Sequence, residues 1–237
     1  MEPDQHEVLP IPEMPGELGG GVSIKIHTKH GWRLIYSKKS DGTSSPITGL
    51  FKFASRMNVL WVASTNNDPF ADMYMDEVRH HIDNALYEFD ERQKMLDLIF
   101  KREHQKGLAF DLASSNEPII IPLNFSNPYG YLGSRLVSKC DEFIRTTFTC
   151  RHVGIISYEK HEKNIRWAMK TVLSTFDRQR DYKLTGVTRD DFVLQNDKWL
   201  SASKSMKMPT ADMIQGQQAK ISPMRITTEK KVQSEQK

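Results

Sequence analysis

The stretch from Pro118 to Phe148, PIIIPLNFSNPYGYLGSRLVSKCDEFIRTTF, narrows the possible folds more than any other part of the chain. Its opening, Ile119 to Phe125, is short, apolar and β-branched, which suits a buried strand. Pro122 has no N–H to give a ladder, so the strand is expected at an edge or at a bulge. Asn127 followed by Pro128 then supplies an N-cap and a first-turn proline. From there Leu132, Leu136, Cys140, Phe143 and Phe148 recur at helical spacing, and Val137 and Ile144 widen the stripe. Arg135, Lys139, Asp141 and Glu142 are assigned to the opposite face. A strand that turns directly into such a helix is where the main core is expected to close.

A chain of 237 residues with 38% hydrophobic and 27% charged residues can bury a sizeable core as one domain with tails. No apolar run reaches the length of a membrane span, and the acidic, proline-bearing start does not read as a signal peptide. Cys140 and Cys150 are the two cysteines and are expected to be reduced thiols, which points to a cytoplasmic protein.

Residues 1–20 have no usable period and read as a flexible arm. Beyond it, Ser23, Lys25, His27 and Lys29 alternate with Ile24, Ile26 and Thr28, the pattern of a strand with one polar and one apolar face. No carboxylate occurs between Glu17 and Asp41, whereas Lys25, Lys29, Arg33, Lys38 and Lys39 all fall there. Thr28 can cap a short helix through Trp32 to Tyr36, or the strand can continue. Ser40–Pro46 is a loop, and Ile47 to Ala63 reads as an apolar helix.

Asn67, Asp68 and Pro69 start a helix expected to run to about His104. Val78, Ile82, Ala85, Phe89, Arg92, Leu96 and Ile99 form a heptad-like seam on it, broken only by Arg92. That seam packs either on another helix of this chain or on a second protomer. Leu108–Leu112 and Ile119–Phe125 flank ASSNEP and suggest a β-hairpin. Ser157 caps a helix through Ile165, Met169, Val172, Leu173 and Phe176, and Thr188 with Asp191 forms a capping box for a last helix to about Leu200. Residues 201–237 lack aromatics and are expected to be a disordered basic tail. The fold class is α+β, mainly helical: one domain over about 21–200 with a small antiparallel sheet.

No P-loop, GxGxxG, GxSxG or HExxH occurs, so the chain is read as a non-enzyme with no metal and no cofactor. His27-x-x-His30 and Cys150-x-His152 lack a second half for a metal site. His30-Gly31-Trp32-Arg33 matches a phosphate-holding HxxR fragment of tyrosine recombinases, but Tyr36 is too close to serve as its nucleophile. The basic strand is the better lead. A two-stranded β-ribbon fits the major groove of DNA, with alternate side chains on base edges. Ser23, Lys25 and His27 would face DNA, Lys29 and Arg33 would neutralise phosphates, and His30, Lys38 and Lys39 complete the set of DNA-binding candidates. One strand is half a ribbon, so this reading asks for a homodimer. Residues 22–63 have the order of a ribbon–helix–helix unit: strand, short helix, loop, helix.

The segments SIKIHTKHGWRL, PLNFSNPYGYLGSRLVSKCDEFIRTTFTCRHVGIIS and TGVTRDDF resemble the AcaB-like family of large conjugative plasmids, notably the IncC type, and of integrating conjugative elements. The resemblance spans about residues 21–200. Its most specific parts are the NPYGY turn, the segment carrying Arg145, Thr146, Arg151, His152, Val153 and Gly154, and the GVTR turn. It implies a bacterial, nucleoid- or plasmid-associated transcriptional activator that binds promoter DNA upstream of the operon for the master activator of transfer genes. RNA polymerase would then be recruited through another surface. Two other classes remain open on the residues alone: a DNA-processing or accessory protein of conjugation or integration, and a structural interaction protein of the transfer apparatus.

Overall fold

A computed structural model describes residues 21–37, 47–107, 109 and 111–225. The expected arm over 1–20, Lys38, Lys39, the 40–46 loop and residues 226–237 lie outside the described residues. The elements in order are β1 (Val22–Ile26), α1 (Lys29–Ile35), α2 (Leu50–Thr65), α3 (Pro69–Gln105), β2 (Ile119–Leu123), α4 (Pro128–His152), α5 (Tyr158–Phe176), α6 (Arg189–Leu194), α7 (Asp197–Ser205) and α8 (Ala211–Gln215). The architecture is α+β, mainly helical, with one small antiparallel sheet.

α4 is the hub, packing on α2, α3, α5, α1 and β1. Its start is fixed by Asn127, whose side chain accepts from Tyr129 N at 3.0 Å, with Pro128 in the first turn. Leu136, Val137, Cys140, Phe143 and Ile144 are buried as their spacing predicts. Asp141 departs from expectation. It is 2% exposed and sits within the apolar stripe. Phe148, the last stripe position, is instead 38% exposed.

The seam of α3 is used inside the chain, against α4 and α5, rather than on a second protomer. Phe89 packs on Phe143 and Trp167 at centroid distances of 5.7 and 4.8 Å. Arg92, the break in the seam, lays its guanidinium 3.9 Å above the Trp167 ring, so the cation is accommodated on an aromatic face.

β2 pairs antiparallel with β1, from Val22↔Leu123 to Ile26↔Ile119. In place of the expected hairpin with 108–112, of which Leu108 and Phe110 lie outside the described residues, β2 takes β1 as its partner, and no strand occurs among the described residues 109 and 111–118. Part of that segment is tied to α4, because Ala113 N donates to Thr149 Oγ1 at 2.8 Å and Arg145 Nε donates to Ala113 O at 2.6 Å. Both strands of a two-stranded sheet are edges, the setting that tolerates Pro122.

The C-terminal region corrects two expectations. The helix foreseen to Leu200 is divided, because Gln195 turns left-handed (φ 48°) and Asn196 caps α7 anew, accepting from Trp199 N at 3.1 Å. Residues 201–225, expected to be disordered, carry the end of α7 and all of α8, and bury Ala202, Met206, Met213 and Ala219. They are strapped to the start of α3 by a buried carboxylate. Asp72 accepts from Ser64 Oγ at 2.6 Å, Arg189 at 2.7 Å and Arg225 at 3.0 Å. Arg189 also donates to Met213 O, Asn67 Oδ1 and Gln217 O, so its charge is surrounded by acceptors.

Candidate nucleic-acid interface

β1 separates its faces as the alternation predicts. Ile24 and Ile26 are 5% and 2% exposed, while Ser23 and Lys25 face solvent. The strand then turns into α1 over a single carboxylate. Asp141 Oδ2 accepts from His27 N at 2.9 Å, and Asp141 Oδ1 accepts from Thr28 N at 3.0 Å and Thr28 Oγ1 at 2.6 Å. Thr28 Oγ1 in turn accepts from Gly31 N at 2.9 Å and caps the helix. Gly31 lies so close that a Cβ there would drive into the Asp141 carboxylate. This lock settles the open choice between helix and continued strand in favour of helix.

Lys29 and Arg33 project from α1 into solvent, and His30 is half-buried with its ring 6.1 Å from that of Phe148. Lys25, Lys29 and Arg33 form no ion pair with another described residue. Burial, with the Arg145 cation next, lowers the pKa of His27; burial and then Arg33 lower that of His30. Both imidazoles are thus biased towards the neutral, hydrogen-bonding form, although the nearby Asp141 carboxylate works the other way.

Two depressions flank α1. A cleft of about 360 Å³ is lined by His27, Lys29, His30, Ser114, Ser115 and Arg145. A groove of about 520 Å³ between α1 and α5 is lined by Arg33, Arg166 and Lys170, together with Glu162 and Asp177. His30 borders both, so the structure joins His27, Lys29, His30 and Arg33 in one tract. Ser23 and Lys25 lie beside it on β1. Lys38 and Lys39 are outside the described residues.

One premise of the expected ribbon is corrected. β1 is not a lone strand, because it pairs with β2 of the same chain. The outer face of this pair sets Lys25 opposite Ile120, which is 64% exposed, and Ser23 opposite Pro122. The cations therefore lie on only one of its strands.

Sequence reasoning missed Arg145, Arg166 and Lys170, which α4 and α5 bring to the tract, and it placed Asp141 on the wrong face. The Asp141 signal was present, since the steps from Val137 to Asp141 to Ile144 follow the buried stripe. Among the described residues there is no cluster of three metal-ligating side chains, and no helix is long and apolar enough to cross a membrane.

The family-like turns are mostly structural. Tyr129 is buried with its hydroxyl 3.1 Å from Met75 O and 3.0 Å from Ile221 O. Gly130 abuts the Phe125 ring where no Cβ would fit, and Thr188 and Arg189 supply the α6 cap and the Asp72 strap. The family model for the transcriptional regulator AcaB matches residues 14–225, the region that ends where the Asp72 strap ends. The chain belongs to the AcaB transcriptional regulator family. The crystal structure of selenomethionine-containing AcaB from uropathogenic E. coli has a similar fold, with a TM-score of 0.57 at 11% identity, covering 83% of this chain and 97% of that one. No curated protein matches the chain. Membership of the AcaB family makes this a transcriptional regulator.

Proposed function

We propose that this regulator is a DNA-binding activator of conjugative-transfer genes, acting from upstream of a master-activator operon and docking on duplex DNA through its β1–α1 surface. The observation that carries the reading is that Lys25, Lys29 and Arg33 form no ion pair with a described residue, on one strand–helix unit whose buried carboxylate, Asp141, accepts from local donors. Cations left without partners on one face are available to displace counterions from phosphates. The β1–β2 pair supplies the two-stranded element that the major groove admits, with Ser23 and Lys25 placed for base edges.

Three to five phosphate contacts support only modest affinity at physiological salt. Under this reading the active species is therefore a homodimer that lays two such surfaces on one operator, and RNA polymerase is contacted by another surface. Footprinting on the regulatory regions of the protein's own genetic element, with a salt titration, tests the proposal. The triple variant K25A/K29A/R33A is expected to lose the footprint, and its residual duplex binding to have a salt dependence flatter by about 2 in log–log slope per protomer, one for each phosphate-facing cation, Lys29 and Arg33. An unchanged footprint would remove the β1–α1 surface from the mechanism.

A further inference from the structure

We propose that the cleft between the start of α1 and residues 113–115 is a seat for one phosphate group. Under the proposed function, on which this assignment of its occupant rests, that group belongs to the DNA backbone.

Three parts of the chain build the cleft. Lys29 and His30 come from α1, Arg145 from α4, and Ser114 and Ser115 from the segment before β2. The serines are held opposite the cations by a double clamp, Ala113 N to Thr149 Oγ1 and Arg145 Nε to Ala113 O. The second bond fixes the plane of the guanidinium. Its two terminal nitrogens make no hydrogen bond to a described residue, which leaves a fork of the geometry that phosphate oxygens accept.

The charge balance distinguishes this cleft from its neighbour. No carboxylate is among the described residues that line it, whereas Glu162 and Asp177 line the groove between α1 and α5 and oppose an anion there. Asp141 lies behind the cleft, but both its oxygens are taken by His27 N, Thr28 N and Thr28 Oγ1. His27 and His30 add hydrogen-bonding nitrogens, and His27 Nδ1 is buried with no partner in the protein. At about 360 Å³ the cleft has room for a phosphate together with part of the sugar that carries it. Ser114 and Lys29 are exposed at its rim, so a polymer can pass across the mouth without entering whole.

Two measurements on the full chain test the seat. In the first, inorganic phosphate is titrated at constant ionic strength while the imidazole resonances of His27 and His30 are followed by NMR. Saturable shifts are expected in the wild type and in Thr149→Val, which releases one clamp without removing a charge. They are expected to be lost in Arg145→Gln. In the second, binding to a short duplex is titrated with salt. Arg145→Gln should reduce the log–log slope by about 1, and Thr149→Val should leave it unchanged.

Absence of saturable shifts in the wild type overturns the seat. Equal loss in Arg145→Gln and Thr149→Val also overturns it, because loop placement rather than the cation would then explain the effect. Saturable phosphate binding by a protein with no affinity for duplex DNA would sink the proposed function alone. It would uphold the seat, with a free phosphate ester as its occupant.

Discussion

Replacing Asp141 by alanine withdraws the acceptor from three donors at once, His27 N, Thr28 N and Thr28 Oγ1. Each hydrogen bond to a charged acceptor contributes about 1.5–3 kcal/mol, and a donor left without a partner in a part-buried site costs about 1–3 kcal/mol. Removing a carboxylate that is 2% exposed also relieves its burial penalty, which offsets some of the loss. The net effect expected is a destabilisation of about 2–4 kcal/mol, read as a shift in the urea midpoint at constant slope. It should be local first. The amides of Thr28 and Gly31 are expected to exchange far faster in Asp141→Ala, while amides in the middle of α4 keep most of their protection. Because Lys25, Lys29 and Arg33 take their positions from this junction, DNA affinity should fall although Asp141 itself is buried away from any ligand. Gly31→Ala is expected to give the same phenotype from the other side, by pushing a methyl group into the carboxylate. A change in stability below about 1 kcal/mol, with Thr28 still protected, would mean that the junction is held by something other than this carboxylate.

Two further outcomes are expected. Burial raises the Asp68 carboxyl to about 6, against an ordinary value near 3.9 in the unfolded chain. Between about pH 4 and 6 the folded chain keeps a proton that the unfolded chain has released, so this group's contribution to stability declines as pH rises through that window and is level above it. Asp68→Asn should therefore gain on the wild type by up to about 3 kcal/mol from pH 4 to 7 in paired urea titrations; a difference independent of pH would contradict this account. Arg189→Met leaves Asp72 with Arg225 as its one cation and frees three other acceptors, and is expected to lower stability by about 3–5 kcal/mol and detach α8 in hydrogen exchange. Retained protection at Met213 would argue against the strap.

The sequence carried local features well and distant ones poorly. Asn127 with Pro128, Asp68 with Pro69, and Thr188 with Asp191 each mark a helix start through chemistry confined to one turn, and all three hold in the structure. The apolar seam of α3 was legible for the same reason, and Trp167 explains why Arg92 can interrupt it. The pairing of β1 with β2 was not legible. Alternation tells which face of a strand is buried but not which strand lies beside it, and residues 108–112 are far nearer to β2 in sequence than β1 is. Asp141 was misplaced because residue type was weighed above spacing. The segment 201–225 escapes a reading by composition for a related reason: it packs through a few small side chains and methionines scattered among polar residues, and Arg225 joins Arg189 on Asp72, a partner far away in sequence. At the candidate site the exposed lysines were legible from an acid-free run of sequence. Arg145, Arg166 and Lys170 were not, because only the packing of α4 and α5 brings them there.

The meeting of Arg189 and Arg225 on Asp72 also bears on how the chain matures during synthesis. While α2 and α3 are leaving the ribosome, the carboxylate they are to enclose has no cation from its eventual partners, which are among the last described residues to be made. A ribosome-bound chain that stops near residue 200 has the interior helices yet lacks Arg225, Met213 and Ala219, the side chains that seal their amino-terminal end. Fragments cut there are consequently expected to be held by chaperones or degraded, because the latch on Asp72 closes only once Arg225 has been made.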